Sequence, residues 1–166
     1  MQIRITRLRL VVLGLLVLGV AGYLLWDYAV VTEPERIETV IVEVAGAVEA
    51  GDFEACAAHM DDSCRLMGRP IPRIRKFCEQ AMKAFPITDA DPYEIDVTMD
   101  ANDPDRATAK VVAAFVLRDY QGEYKIDWKL AFVRRDGHNW RLTDITPYRH
   151  GTRDEIHLAQ IEWLLR

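Results

Sequence analysis

The chain has 166 residues, half of them hydrophobic, which suits one domain with appendages. Its formal net charge is −5; before position 27 the only charged residues are Arg4, Arg7 and Arg9, so the remainder holds 18 basic against 26 acidic side chains, a net of −8. A domain that acidic argues against nucleic acid as a partner, because phosphates demand the opposite sign.

Residues 1–9 form a basic tail, and residues 10–26 run without a charge. At about 1.5 Å per residue this stretch spans roughly 26 Å, the low end of what a bilayer core requires. Tyr23, Trp26 and Tyr28 sit where an interfacial aromatic belt belongs. The pattern predicts a transmembrane signal anchor, with a cleaved signal peptide as the alternative because Val20-Ala21-Gly22 offers small residues for cleavage. The three arginines keep the N-terminus cytoplasmic, so the expected location is a single-pass inner (plasma) membrane protein with its domain on the periplasmic or other extracytoplasmic side. Residues 27–32 are a short linker.

Three helices follow. Thr32-Glu33-Pro34-Glu35 combines a capping box with a first-turn proline, and Ile37, Val40, Ile41, Val44 and Val48 recur at helical spacing up to Gly51. Asp52 caps a second, shorter helix carrying Phe53, Cys56, Ala57 and Met60 inward. Asp61-Asp62-Ser63 and the stretch around Gly68 and Pro70 read as loop. Ile74, Phe77, Cys78, Ala81, Met82 and Phe85 then define a third helix that Pro86 ends.

Four strand-like runs come next, from Tyr93 to Tyr148. Tyr93, Ile95, Val97 and Met99 alternate in the first. Ala107, Ala109, Val111, Ala113 and Phe115 share one face of the second, whose centre is apolar on the other face too, at Val112, Ala114 and Val116. Tyr124, Ile126, Trp128, Leu130 and Phe132 alternate with charges in the third. Asp136-Gly137 signals a hairpin into the fourth, with Trp140 and Leu142 inward. Thr152-Arg153-Asp154-Glu155 is another capping box, predicting a C-terminal amphipathic helix over residues 152–166. Ile156, Trp163, Leu164 and Leu165 are its candidate interface, with packing on the domain's own sheet as the alternative.

A helix ending in Ala-Gly-Asp-Phe, two further helices, and strands closing on Trp-Lys-Leu-Ala-Phe-Val-Arg-Arg-Asp-Gly-His-Asn-Trp-Arg-Leu-Thr-Asp-Ile resemble the nuclear transport factor 2-like (NTF2-like) superfamily. That group includes ketosteroid isomerases, polyketide cyclases, scytalone dehydratase and many non-enzymatic modules. The resemblance implies an α+β domain over residues 33–151: three helices on a curved, four-stranded antiparallel meander shaped as a cone. The family's small hairpin between the second and third helices has only Cys64-Arg65-Leu66-Met67 to supply it.

Enzymatic members of that family project acids and bases into the cone. Here the expected lining is Phe115, Tyr124, Trp128, Phe132 and Trp140, and none of the inward positions is an acid or base. His59 and Asp61 are the remaining catalytic candidates, against a solvated helix end. No pair of histidines or cysteines has ligand spacing, so no metal and no cofactor is expected. Cys56, Cys64 and Cys78 leave open either one disulfide in an oxidising compartment or buried thiols. Arg65, Arg69, Arg73, Arg75 and Lys76 cluster against the acidic trend, as a solvated loop or as an anion or headgroup contact. The expected function is a non-enzymatic, membrane-tethered module that docks on a larger assembly or on itself; the alternative is a protein that binds or isomerises a small apolar molecule in the cone.

Overall fold

The structure is a computed structural model and describes Val20, residues 31–119 and residues 122–157. The chain divides into two compact units, Met1–Thr32 and Glu33–Arg166, of which the second carries the described helices and sheet. The expected transmembrane segment, residues 10–26, lies outside the described residues apart from Val20; among the described residues no helix is long and apolar enough to cross a membrane.

Helix α1 spans Glu33–Glu49, starting directly after Thr32 with Pro34 in its first turn. It ends in a Schellman arrangement: the Asp52 amide donates to Ala47 O and the Gly51 amide to Val48 O, each at 3.0 Å. That ending places Gly51 at φ +66°, in the left-handed region a glycine tolerates. Asp52 then caps α2, Phe53–Ala58, accepting from the Ala55 amide at 3.0 Å as the sequence predicts. Helix α3, Ile71–Ala84, follows Pro70 and gives way to Phe85 and Pro86.

The sheet has six strands, not four. β1, Met60–Leu66, and β2, Arg69–Pro70, form a small hairpin where the sequence suggested a helix end and a loop. Met60 therefore opens a strand and does not extend α2. β3 is Ile87–Met99, β4 Arg106–Leu117, β5 Glu123–Arg135 and β6 Asn139–Arg149. Their order is β2-β1-β6-β5-β4-β3, antiparallel except for β1 beside β6. β3 begins six residues earlier than the alternation from Tyr93 indicated, and it holds Pro92, which an edge strand accommodates.

Small residues on β4 make room for the core. Ala107 stands opposite Phe132 and Ala109 opposite Leu130, so the inner face has depth where β5 and β6 project large side chains. Ile37 and Ile41 of α1 fill that depth together with Phe132, Trp140, Leu142, Ile145 and Cys64 of the sheet. Trp140, Phe132 and Leu142 are each only 2% exposed. α1 lies along β3 and reaches β6, while α3 packs on the β1–β2 hairpin and on α2. α3 is the least embedded helix, with Ile74 as its one buried residue.

The predicted C-terminal helix does not begin at Thr152. Residues 152–157 are non-helical: Glu155 bridges back to Tyr148, the Ile156 amide donates to Pro147 O at 2.9 Å, and the Arg149 amide donates to Asp154 O at 2.9 Å. β1 leaves β6 at Ile145, so the backbone of residues 147–149 is open on that side and the returning chain takes it. Trp163, Leu164 and Leu165 lie outside the described residues.

Candidate functional site

The five residues expected to line the cone separate into three environments. Phe132 and Trp140 are core. Phe115 and Trp128 are half-buried and meet edge to face, with ring centroids 6.3 Å apart at 71°. Tyr124 is 45% exposed and lines no interior space. Tyr93, expected on the Ile95 face, is 41% exposed because the chain bulges between Pro92 and Glu94 and turns it out of register. There the Lys125 ammonium stands 5.1 Å from the Tyr93 ring. Among the described residues no buried side chain is polar or charged, so those that close the interior are apolar.

Charge enters the fold at the start of α1 instead. Glu33 Oε2 accepts from Trp140 Nε1 at 2.7 Å, and its other oxygen lies 2.7 Å from His138 Nδ1 and 3.7 Å from an Arg134 guanidinium nitrogen. Arg134 also grips Asp105 and sits 5.7 Å above the Trp140 ring. Burial pushes the Glu33 carboxyl up, but hydrogen bonds from Trp140 and His138 and the charges of His138 and Arg134 outweigh it and hold the group below its ordinary value. No local pattern in the sequence marks this cluster, since its members lie up to 107 positions apart.

His59 and Asp61 do not form a catalytic pair. His59 Nδ1 is 3.7 Å from Glu43 on α1, whereas Asp61 accepts from Arg135 Nε at 2.9 Å and from both the hydroxyl and the amide of Ser63. The Arg135 hydrogen bond, followed by those of Ser63, holds the Asp61 carboxyl far below the usual carboxylate range. A carboxylate so engaged is a poor general base. Among the described residues no three His, Cys, Asp or Glu side chains converge as a metal ligand set. The three cysteines are free thiols, pushed up by burial to about 11 for Cys56 and Cys78 and about 12 for Cys64.

A concavity runs across β3, β4 and β5. A groove of about 760 Å³ is lined by Tyr93, Glu94, Asp96, Lys110, Val112, Asp127, Lys129, Tyr148, Thr152 and Arg153, and also by Ile95, Val111 and Trp128, the last an expected lining residue. Register explains the charged part of the lining. Glu94, Val112, Asp127 and Tyr148 form one cross-strand row and Asp96, Lys110 and Lys129 the next, all on the outer face. Beside the groove, His150 Nδ1 is 2.5 Å from Asp127 Oδ1, and the Gly151 amide donates to Oδ2 at 3.1 Å. A carboxylate that holds one imidazole nitrogen leaves the other ring nitrogen to face a ligand, an arrangement that His138 shares through Glu33 but that here stands beside a groove. Periodicity placed Asp127 on the polar face, but nothing in the pattern pointed to His150, 23 positions on.

The residues of the basic cluster divide. Arg75 is committed: it stacks 5.5 Å from the Phe53 ring and pairs with Glu54 and Glu79. Arg65, Arg69, Arg73 and Lys76 are exposed and make no ion pair among the described residues.

No family model matches the sequence, and no curated protein matches it. Solved structures do. A protein of unknown function from Mycobacterium tuberculosis is 15% identical, with a TM-score of 0.59 over 71% of this chain and 72% of that one. A protein provisionally named a ketosteroid isomerase, from Shewanella frigidimarina, is 13% identical with a TM-score of 0.56, covering 70% of this chain and 95% of its own. One provisionally named a scytalone dehydratase, from Novosphingobium aromaticivorans, is 13% identical with a TM-score of 0.54, covering 74% and 90%. At these identities the likeness shows the fold alone, and the described domain has the NTF2-like α+β fold. The names of these proteins lend no support to the expectation of a non-enzyme, and none of them speaks to a membrane tether.

Proposed function

We propose that this protein is an interaction module built on the NTF2-like fold and held at a membrane by residues 10–26. The observation that carries the reading is the composition of the interior. Trp140, Phe132, Leu142, Ile37 and Ile41 fill the space between α1 and the sheet, and no buried side chain among the described residues is an acid, a base or a polar nucleophile. The tether is read from the uncharged run at positions 10–26 and the arginines before it. Confinement to a membrane makes weak contacts effective by raising local concentration. The test is purification of the full-length protein in mild detergent, followed by mass spectrometry. A protein partner or a second copy retained in constant ratio supports the module, and a solitary chain contradicts it.

A second reading has its own observation. The Asp127–His150 pair stands beside a groove of about 760 Å³, and fold neighbours are provisionally named isomerase and dehydratase. On this reading the groove takes a small polar-and-apolar molecule, with His150 exchanging a proton. Turnover of such a substrate that is lost in His150→Ala, with the fold intact, would establish it over the module.

A further inference from the structure

The two edges of the sheet carry opposite charge. On β3, Asp89, Asp91, Glu94 and Asp96 stand opposite Val116, Ala114, Val112 and Lys110, the outward-pointing set of β4. Two odd-numbered and two even-numbered residues cannot share a face of a regular strand. The bulge between Pro92 and Glu94 shifts the alternation by one and gathers all four into a single acidic column. All four are exposed, and none has an ion pair among the described residues. At the other edge stand the exposed cations Arg65 on β1, Arg69 on β2, and Arg73 and Lys76 on α3, likewise without an ion pair among the described residues. Sheet order separates these edges by five strand spacings, about 24 Å. At physiological salt, screening within about 8 Å keeps them from neutralising each other within one molecule.

We propose that the two edges bind each other between copies of this chain, the acidic column of one copy against the basic patch of the next. The inference rests on the interaction-module reading and names its partner as a second copy. A two-fold contact through either edge would set like charges against like, so the complementary contact runs head to tail and extends to closed rings or open chains. Strand addition does not drive it. Pro92 interrupts the β3 edge, β2 is two residues long, and Glu49 of α1 already accepts from the Ala90 amide at 2.6 Å. The contact is made by side-chain charges, and its strength falls steeply as salt rises.

Sedimentation velocity of the full-length chain in a neutral detergent tests this at about 20 mM and about 500 mM salt, where screening differs severalfold. The expected result is a protein mass that rises with concentration in low salt and returns to one chain in high salt. One variant neutralises the basic edge (Arg65→Gln, Arg69→Gln, Arg73→Gln), and another the acidic column (Asp89→Asn, Asp91→Asn, Asp96→Asn). Each alone remains a single chain. Mixed in equal amounts they form a one-to-one dimer and nothing larger, because only one complementary pair of edges survives. Wild type that stays single in low salt overturns the proposal, as does a mixture that fails to pair. A single chain that still co-purifies with another protein overturns the contact while leaving the module reading standing. Binding to anionic vesicles that is lost with the arginines, without self-association, overturns it in favour of lipid headgroups.

Discussion

The indole of Trp140 donates to the carboxylate of Glu33 at 2.7 Å, joining the first residue of α1 to the hairpin between β5 and β6 across 107 positions of sequence. One indole thus fills the core with its ring and satisfies its N–H on a carboxylate that is itself held by His138 and Arg134.

Removing the two halves of that relationship should cost different amounts. Trp140→Ala leaves a cavity and should destabilise by about 3–5 kcal/mol, as a large buried aromatic does. Glu33→Ala leaves the buried indole N–H without its acceptor and should cost about 1–3 kcal/mol. Trp128→Ala, at a half-buried position, should cost less than Trp140→Ala. Urea denaturation of the three variants ranks them, and an equal loss at Trp128 and Trp140 would mean that Trp128 is packed as tightly as Trp140.

Acid should weaken the fold through Asp61 and Glu33. Both carboxyls are held below their ordinary values in the folded chain, so the unfolded chain takes up their protons first. Their stabilisation is present above the unfolded value of about 4 and is lost as pH falls toward the folded values. Asp61→Asn should be less stable than wild type at pH 7 by no more than about 1 kcal/mol, because Arg135 is half exposed and solvent screens the pair. The gap should narrow below about pH 4, where the unfolded carboxyl begins to protonate. Midpoints measured across that range check the sign, and a gap that widens in acid would contradict it.

How much of this was legible in the sequence depended on whether the signal was local. Asp52 capping α2, Gly51 closing α1 and Asp136-Gly137 turning the last hairpin are decided by residues within a few positions, and each could be read. The alternation of β4, β5 and β6 was legible for the same reason. β1 was not, because Met-Asp-Asp-Ser-Cys-Arg-Leu is poor in strand-forming residues; it becomes a strand by pairing with β6 and by Asp61 reaching Arg135. Tyr93 misled because the bulge at Pro92–Glu94 puts it out of phase with Ile95, Val97 and Met99. The capping box at Thr152 was overridden by unpaired backbone on β6. The Asp127–His150 pair belongs to the same class, made by strand register alone.

The thiols should resist modification. Cys56, Cys64 and Cys78 are shielded by burial, which pushes them to about 11–12 and leaves little thiolate at neutral pH. A disulfide-exchange reagent at pH 8 should label none of the three in the folded chain within minutes and all three in denaturant. Rapid labelling of Cys78, which is only half-buried, would show that α3 opens readily from the β1–β2 hairpin.

The tether makes a topological prediction. Protease added to intact spheroplasts should digest the domain beginning at Glu33, and deletion of residues 1–26 should release it from the membrane fraction. Protection from the protease would reverse the proposed orientation.

The central claim is that this domain acts by associating rather than by enclosing a ligand. The most direct measurement is the protein mass of the full-length chain, extracted in mild detergent and corrected for bound detergent, by light scattering coupled to gel filtration. One chain weighs 19.0 kDa. The predicted result is a particle whose protein component exceeds that mass, containing further copies or a second protein. A particle of one chain alone, saturably binding a small apolar molecule that quenches tryptophan emission, would contradict it.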